Sequence, residues 1–222
     1  MRHPGGRRPP VAADVSKPAA IGGFRNCGKG IGRQLMELPE YAVVTRGLPC
    51  GDHPYRALLP RIEESPVRRR IETSETPFSL LLDMAVVRIK KKQRGFCYVD
   101  VSVPAITVNE HYYRNGRGLD LYLDLAHELT HLRQFREGQN IWDHGIDYVD
   151  RPTEIEGYAV AVEEGRRLGM TEAGIVEHLS NPWMSAEEVG RLLHNIDAFL
   201  RSHPLSRREN PAGENPAPRV LP

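Results

Sequence analysis

The chain has 222 residues, of which 40% are hydrophobic and 27% are charged, a composition typical of a soluble globular protein of ordinary domain size. Its 30 basic and 29 acidic side chains leave a net charge of +1, which argues against a general electrostatic binder of nucleic acids or membranes. No apolar run is long enough to span a membrane, and no apolar segment follows the N-terminal arginines as it would in a secretory signal. We therefore expect a cytoplasmic protein without nucleic-acid or membrane partners.

The cysteines are few and widely spaced. There are three, Cys27, Cys50 and Cys97. An odd number without a secretory signal indicates free thiols rather than a disulfide framework. They also lie too far apart in the sequence to form a paired-cysteine zinc site, so any metal chemistry must use other residues.

Both ends of the chain differ in composition from the rest. Residues 1–20 and 204–222 are rich in Pro, Gly, Arg and Asn and contain few large apolar residues. Such segments bury too little apolar surface to offset the entropy lost on folding, so we predict two disordered tails. A single domain is then predicted over residues 21–203.

The first half of this domain contains short predicted elements. A proline interrupts the segment 55–64, so any helix there must be short or begin late. Residues 78–92 place apolar side chains at near-helical spacing ahead of a lysine run, which predicts an amphipathic helix. Residues 96–109 are rich in β-branched and aromatic side chains around Pro104, which predicts two short strands or one broken strand, the second part being Ala105–Asn109.

The second half is predicted to be helical. Leucines recur at helical spacing over 118–137, and Gly138 follows as a stop signal. A polar loop over 139–151 leads to a helix over 152–167, for which Asp150 is the expected N-cap.

Two further helices are predicted at the C-terminal end of the domain. One covers 172–179 after Thr171, and the other covers 186–202 after Ser185, which forms a capping box with Glu188. The order of elements indicates an α+β fold in which short antiparallel strands pack on one side of the helices.

The most specific chemical signal is the sequence HELTH, which lies inside the helix predicted over 118–137. His127 and His131 are four residues apart and therefore stand one turn apart on the same helix face. Two imidazoles so placed bind one tetrahedral Zn²⁺ through ring nitrogens at ~2.0–2.1 Å. Glu128 reaches a water on that metal without being a ligand, which makes it the expected general base.

A third protein ligand must come from elsewhere in the chain. The glycine and histidine that some HExxH proteins place after the motif are absent, since Gln134 and Glu137 occupy those positions. Glu154 and Glu156 stand on the next predicted helix. Glu154 borders the apolar stripe of that helix, while Glu156 projects about 200° away from Glu154 at 3.6 residues per turn. This geometry favours Glu154 over Glu156 as the ligand. Either glutamate could instead be a solvated helix residue, and for Glu156 that is the default expectation.

HELTH followed by EIEGYAVA resembles the minimal gluzincins, a group of zinc peptidases that includes the ImmA/IrrE-like peptidases. The resemblance covers about residues 78–166 and is specific at the two motifs. By position it implies a zincin-like metallopeptidase core in which His127, His131 and Glu154 hold Zn²⁺. It also implies Glu128 as the catalytic acid/base and a peptide or protein as the substrate.

The resemblance is incomplete in the second motif. Gly157 stands where Ala is common, and Tyr158 stands where Asp or Asn often contacts a zinc histidine. The donor that would stabilise a tetrahedral oxyanion is also open, with His144, Tyr148 and Tyr158 as candidates in or after the loop. The weaker candidates, at the end of the second strand, are His111, Tyr112 and Tyr113.

The strand Ala105–Asn109 has two interpretations. In similar folds an edge strand beside the zinc pairs with an extended substrate, and this strand precedes the motif as such a strand would. Alternatively, it is an ordinary core strand.

Three functions remain open at this stage. The first is a zinc-dependent peptidase in which Glu128 activates water, and the second is a catalytically inactive zincin-fold interaction or regulatory protein. A DNA-binding regulator would need a helix-turn-helix, which 172–179 and 186–202 do not convincingly form. Glu128 favours the peptidase, because a purely structural zinc site does not need it.

Overall fold

The computed structural model describes residues 37–91, 95–103 and 105–205. The predicted tail 1–20, the predicted tail beyond residue 205, and Cys27 lie outside these residues. Cys50 and Cys97 carry free thiols, as predicted. The helices and strands, in chain order, are β1 (Gly51–Pro54), α1 (Tyr55–Leu58), α2 (Arg68–Ile71), α3 (Phe78–Met84), β2 (Val86–Lys90), β3 (Cys97–Asp100), β4 (Ala105–Asn109), α4 (Glu110–Asn115), α5 (Gly118–Arg136), α6 (Pro152–Arg167), α7 (Glu172–Leu179) and α8 (Ala186–Ser202). The predicted α+β class is confirmed.

A four-stranded mixed sheet in the order β1-β2-β4-β3 forms the β part of the fold. β1 pairs with β2 and β3 pairs with β4 in antiparallel orientation, whereas β2 and β4 run parallel. The prediction of antiparallel strands is therefore wrong for the central pair. β3 comes before β4 in the chain but lies at the edge of the sheet. The chain turns back after β3, so that β4 pairs antiparallel with β3 and runs in the same direction as β2.

The interpretation of Ala105–Asn109 as an edge strand is wrong. This strand, β4, lies between β2 and β3, and its first four residues are buried. A nearly continuous apolar run is typical of a strand covered on both faces. The edge of the sheet that packs against α5 is instead β3.

The predicted helix over 78–92 is also wrong in its second half. α3 ends at Met84, and β2 occupies Val86–Lys90. The side chains of β2 alternate between half-buried and buried, and three of its five residues are β-branched. That period of two suits a strand, and pairing with β1 and β4 stabilises it over the helical alternative.

Other predictions in the first half are confirmed, with three omissions. The helix in 55–64 is short, as expected, and 96–109 contains two strands. The strand β1 and the helices α2 and α4 were not predicted. α4 begins where the side chain of Asn109 accepts a hydrogen bond from the backbone N–H of Tyr112, a standard cap for a helix N-terminus.

The predicted helices of the second half are confirmed as α5 to α8. The side chain of Thr171 accepts from the backbone N–H of Gly174 at the start of α7. Ser185 and Glu188 form both hydrogen bonds of the predicted capping box of α8. These two starts were predictable because the caps are local in sequence.

The predicted N-cap of α6 is wrong by one residue. Asp150 ends a short 3-10 turn, Tyr148–Asp150, and Arg151 is the residue before the helix. The residue that precedes a proline is restricted to extended conformations. Arg151 adopts such a conformation, so the helix begins at Pro152.

Helix α5 is the centre of the fold, and most of its residues are buried. One apolar core joins the sheet, α3 and α5, and a second lies between α6, α7 and α8. α6 contributes side chains to both cores, so it packs along α5 on one side and the C-terminal helices on the other. Although α5 is buried, none of the helices in the described part of the chain is both long and apolar enough to cross a membrane.

Candidate metal centre

Helix α5 places two imidazoles side by side. His127 and His131 are buried, and their rings meet edge to face with centroids 4.5 Å apart. Residues i and i+4 of a helix lie on one face, and this face of α5 is turned towards α6. The structure therefore brings the two histidines together as the motif predicted.

Helix α6 brings the Glu154 carboxylate to the same point. Its Oε2 lies 3.5 Å from Nε2 of His127 and 3.4 Å from Nε2 of His131. Both distances exceed those of N–H···O hydrogen bonds, which are about 2.7–3.2 Å. Two ligands held by zinc at ~2.0–2.1 Å with tetrahedral angles are about 3.3–3.4 Å apart. The spacing is thus that of metal ligands, and within the described residues this is the one group of three His, Cys, Asp or Glu side chains close enough to hold an ion.

The electrostatics of this group also fit a cation. Burial alone would raise the pKa of Glu154, but the adjacent imidazoles hold it well below its ordinary value. Burial likewise opposes protonation of His131, yet the Glu154 carboxylate raises the pKa of His131 to about 9. Oε2 of Glu154 has no hydrogen-bond partner among the residues described. A buried carboxylate oxygen in that position is costly unless a positive charge compensates it.

The donor set suits a transition-metal ion. Two imidazole nitrogens and one carboxylate oxygen would provide three protein ligands and leave at least one coordination position for water or another ligand. His127 and His131 turn the same ring atom, Nε2, towards Glu154. The group thus differs in composition from a structural site closed by four protein ligands.

A cavity of about 150 Å³ borders the three ligand side chains. Its other walls are β3, the loop after α5 and the turn before α6, through Cys97, Tyr98, Val99, Ile141, Trp142 and Tyr148. Glu128 also lines it and accepts a hydrogen bond from the backbone of Val99. Burial raises the pKa of Glu128 to about 8, so its affinity for a proton is well above that of an exposed carboxylate.

The three main candidates for the oxyanion donor differ in their position relative to the cavity. Tyr148 lines the cavity, and its hydroxyl lies 2.8 Å from the hydroxyl of Tyr158. The Tyr158 hydroxyl also accepts from Asn181, and neither hydrogen bond involves a ligand histidine. His144 is exposed and does not line the cavity.

The weaker candidates after the second strand are engaged elsewhere. The hydroxyl of Tyr112 donates to Asp124, and that of Tyr113 donates to the backbone carbonyl of Thr45. His111 is exposed in α4, just after the end of β4. None of the three lines the cavity beside the ligands.

The two departures in the second motif have structural reasons. The ring of His127 packs so closely on Gly157 that a Cβ there would lie 3.0 Å from ring atoms Cε1 and Nδ1. The ring of Tyr158 covers another side of the same imidazole, with centroids 4.2 Å apart. Tyr158 thus contacts His127 by packing, not by the hydrogen bond that Asp or Asn would make.

A polar network beside His131 was not predicted from the sequence. Oε1 of Gln134 lies 2.7 Å from Nδ1 of His131, and the Gln134 amide nitrogen donates to Glu156 at 2.6 Å. Glu156 also accepts from Arg133 at 2.5 Å. The expectation that Glu156 is a solvated residue is therefore wrong. The spacing of Gln134 three residues after His131 was a usable signal, because such pairs face each other on a helix.

In comparisons with protein-family models, with curated proteins and with solved structures, no match to this chain was found.

Proposed function

We propose that the protein is a zinc-dependent peptidase of the gluzincin type with a zincin-like core. His127, His131 and Glu154 would hold the zinc, and Glu128 would act as the general acid/base. The observation that carries this proposal is the meeting of three donor atoms at metal-ligand spacing, with Glu128 beside them in a cavity.

The chemistry follows from the positions of these side chains. Zinc in such a site supplies Lewis acidity, which activates water and polarises a carbonyl group. Glu128 takes the proton of the attacking water and returns it to the leaving amine, so that one carboxyl group serves both steps. Burial raises the pKa of Glu128 in the metal-free protein, and a cation bound beside it would lower that pKa, which favours the carboxylate form that accepts the water proton.

The position of the edge strand supports an extended peptide as the substrate. β3 has β4 as its neighbour on one side, and its residues Cys97 to Val99 line the cavity. An extended chain that pairs with an exposed strand edge is held by main-chain hydrogen bonds regardless of its sequence. A peptide paired with β3 would lie beside the three proposed ligands and close to Glu128, because the Glu128 carboxylate contacts the backbone of Val99 in β3.

Tyr148 is the donor we propose for the tetrahedral oxyanion. It lines the same cavity as Glu154, whereas His144 is exposed and the Tyr158 hydroxyl lies behind Tyr148. A phenol hydroxyl at the cavity wall can stabilise negative charge that develops on the substrate oxygen.

The first test measures zinc and peptide cleavage in the same preparations of the full-length chain. Glu128→Gln is expected to keep one zinc per chain and to lose cleavage by at least about 100-fold, since the amide cannot accept the water proton. Glu187→Gln is the matched control, because Glu187 is exposed on α8, and it should keep both properties. Elemental analysis gives the zinc content, and mass spectrometry of a peptide library gives the cleavage.

The outcomes separate the competing functions. Wild-type protein that binds zinc but cleaves no peptide would favour the inactive zincin-fold interaction or regulatory protein. Full cleavage by Glu128→Gln would refute the proposed role of Glu128. Absence of stoichiometric zinc from the wild-type protein after exposure to the ion would refute the metal site.

A further inference from the structure

The side of His131 that faces away from the ligand group is held by a buried amide. Nδ1 of His131 lies 2.7 Å from Oε1 of Gln134, and Gln134 is fully buried. The Nε2 atom of Gln134 donates to the backbone carbonyl of Thr153 at 3.1 Å and to Oε2 of Glu156 at 2.6 Å. Both hydrogens of the amide nitrogen are thus used by acceptors on α6.

These contacts leave one arrangement of protons. If the Gln134 amide were reversed, its oxygen would face a carbonyl oxygen and a carboxylate, and two acceptors cannot share a hydrogen bond. The oxygen therefore faces His131, and Nδ1 of His131 must carry a hydrogen to donate to it. With Nδ1 protonated, the lone pair of the neutral ring is on Nε2, the atom that faces Glu154.

The Glu156 carboxylate, which accepts from the Gln134 amide, is held in turn by an arginine. Oε1 of Glu156 accepts from Arg133 at 2.5 Å, and Arg133 also donates to Glu137 at 2.7 Å. The Arg133 side chain is buried and that of Glu156 is 22% exposed, so water has access to only one side of this ion pair. The order Arg133–Glu156–Gln134–His131 crosses between α5 and α6, and both helices therefore contribute to the orientation of one imidazole.

We propose that Gln134 is a positioning residue of the metal centre, which fixes His131 in the form with Nδ1–H so that Nε2 binds the cation. Glu156 holds the Gln134 amide in the required orientation. The two glutamates of α6 then have separate roles, with Glu154 binding the metal and Glu156 acting through Gln134 and His131. This inference rests on the proposed metal site, and it concerns affinity for the ion rather than the cleavage step.

The test measures zinc affinity of the full-length chain by competition with a chromophoric chelator. Gln134→Leu keeps the side-chain size but removes the acceptor, and we expect zinc to bind about 10–100-fold more weakly. Gln134→Glu keeps an acceptor for His131 but sets two carboxylates against each other, so affinity should also fall by about tenfold or more. Combining Gln134→Glu with Glu156→Gln exchanges the amide and the carboxylate. The new carboxylate regains a donor but still faces the carbonyl of Thr153, so affinity should recover in part, by about threefold or more over Gln134→Glu alone.

A second readout separates orientation from a loss of structure. Imidazole ¹⁵N spectra of the zinc-loaded wild-type protein should show a protonated Nδ1 on His131 that exchanges slowly, and this signal should weaken in Gln134→Leu. Thermal unfolding in the presence of chelator checks that each variant folds. If Gln134→Leu does not fold, the single and exchanged Gln134→Glu variants still decide the question.

The results have distinct meanings. Rescue by the exchanged pair, together with weak binding by the single variants, supports the proposal. Wild-type affinity in a folded Gln134→Leu or Gln134→Glu variant overturns it, as does failure of a folded exchanged pair to recover. A wild-type chain that binds no zinc would instead refute the proposed metal site and with it the peptidase.

Discussion

The two ends of the contact between α5 and α6 hold their histidines by different means. At the His131 end, a hydrogen bond to Gln134 orients the ring. At the His127 end, Nδ1 has no hydrogen-bond partner among the residues described, and the ring is confined by Gly157 and Tyr158. A hydrogen-bonded ring responds to a change of polarity, whereas a packed ring responds to a change of volume. We therefore expect the orientation of His131 to be lost when the polarity around it changes, and that of His127 to be lost when the volume around it changes.

The largest effect should come from removing a ligand, and it should be the same at both ends. His127→Ala and His131→Ala each remove one of three protein ligands, so zinc should bind more than about 100-fold more weakly, beyond the range for residues that only orient a ligand. Glu154→Ala should match them, whereas Glu156→Ala should show a smaller loss. Zinc analysis after dialysis against a weak chelator checks this order, and equal retention by wild type and Glu154→Ala would remove Glu154 from the ligand set.

The second prediction concerns how the two rings titrate in the metal-free protein. The Glu154 carboxylate overcomes burial to raise the pKa of His131 to about 9, while burial and the neighbouring imidazole lower the pKa of His127. The raised value means that His131 contributes stability that is fully present below about pH 6.5 and is lost as the pH rises to about 9, on the order of 3 kcal/mol. The lowered value means that His127 contributes in the opposite sense, since its protonation disfavours the folded state as the pH falls through its ordinary range.

Imidazole NMR titration with chelator present measures both rings directly, and urea unfolding at pH 6 and pH 9 measures the change in stability (His131→Gln is the comparison). We expect the His131 ring to stay protonated at a pH at which the His127 ring is neutral. Titration of both rings together, near the ordinary value for histidine, would contradict the contrast between the two ends.

The smallest effect should come from adding a single methyl group at the His127 end. A Cβ in Gly157→Ala would meet ring atoms of His127 at 3.0 Å, so the ring must shift, and we expect zinc to bind about tenfold more weakly. Helix propensity favours Ala over Gly by up to about 1 kcal/mol, which should offset much of the crowding in the free energy of unfolding.

Gly190→Ala in α8 provides the control for this change. A Cβ at Gly190 meets nothing within 4 Å, so this variant should gain stability without any change in zinc affinity. Chelator competition and urea unfolding of both variants give the two quantities. Unchanged zinc affinity in Gly157→Ala would show that packing does not hold His127.

The fold was predictable where a signal was local and strong. α5, α7 and α8 have a clear apolar period or a cap next to the helix, and the structure has them where these signals place them. β2 was misassigned because five residues after a helix, rich in valine and isoleucine, fit either period until neighbouring strands pair with them. The predicted edge strand was β4, whereas the observed edge strand is β3. The order of strands depends on pairings between distant segments and has no local signature in the sequence.

In the candidate site too, the features set within one helix were predictable and the contacts between helices were not. The spacing of His127 and His131 is a property of one helix, and the stripe of α6 sufficed to prefer Glu154 over Glu156 as the residue that meets them. The network around Gln134 was not predicted, because it exists only where α5 and α6 touch. Glu156 was expected to be solvated for the same reason, since a single helix considered alone cannot show what covers its other face.

The sequence by itself determined the types and local spacing of the chemical groups: two imidazoles one helical turn apart, a carboxylate between them in sequence, and another on the next helix. Tertiary structure decided which atoms of those groups meet, how each ring is held, and which strand borders the cavity. The physical reason is that spacing along a helix is set by 3.6 residues per turn, whereas contacts between helices depend on packing and burial across the whole domain.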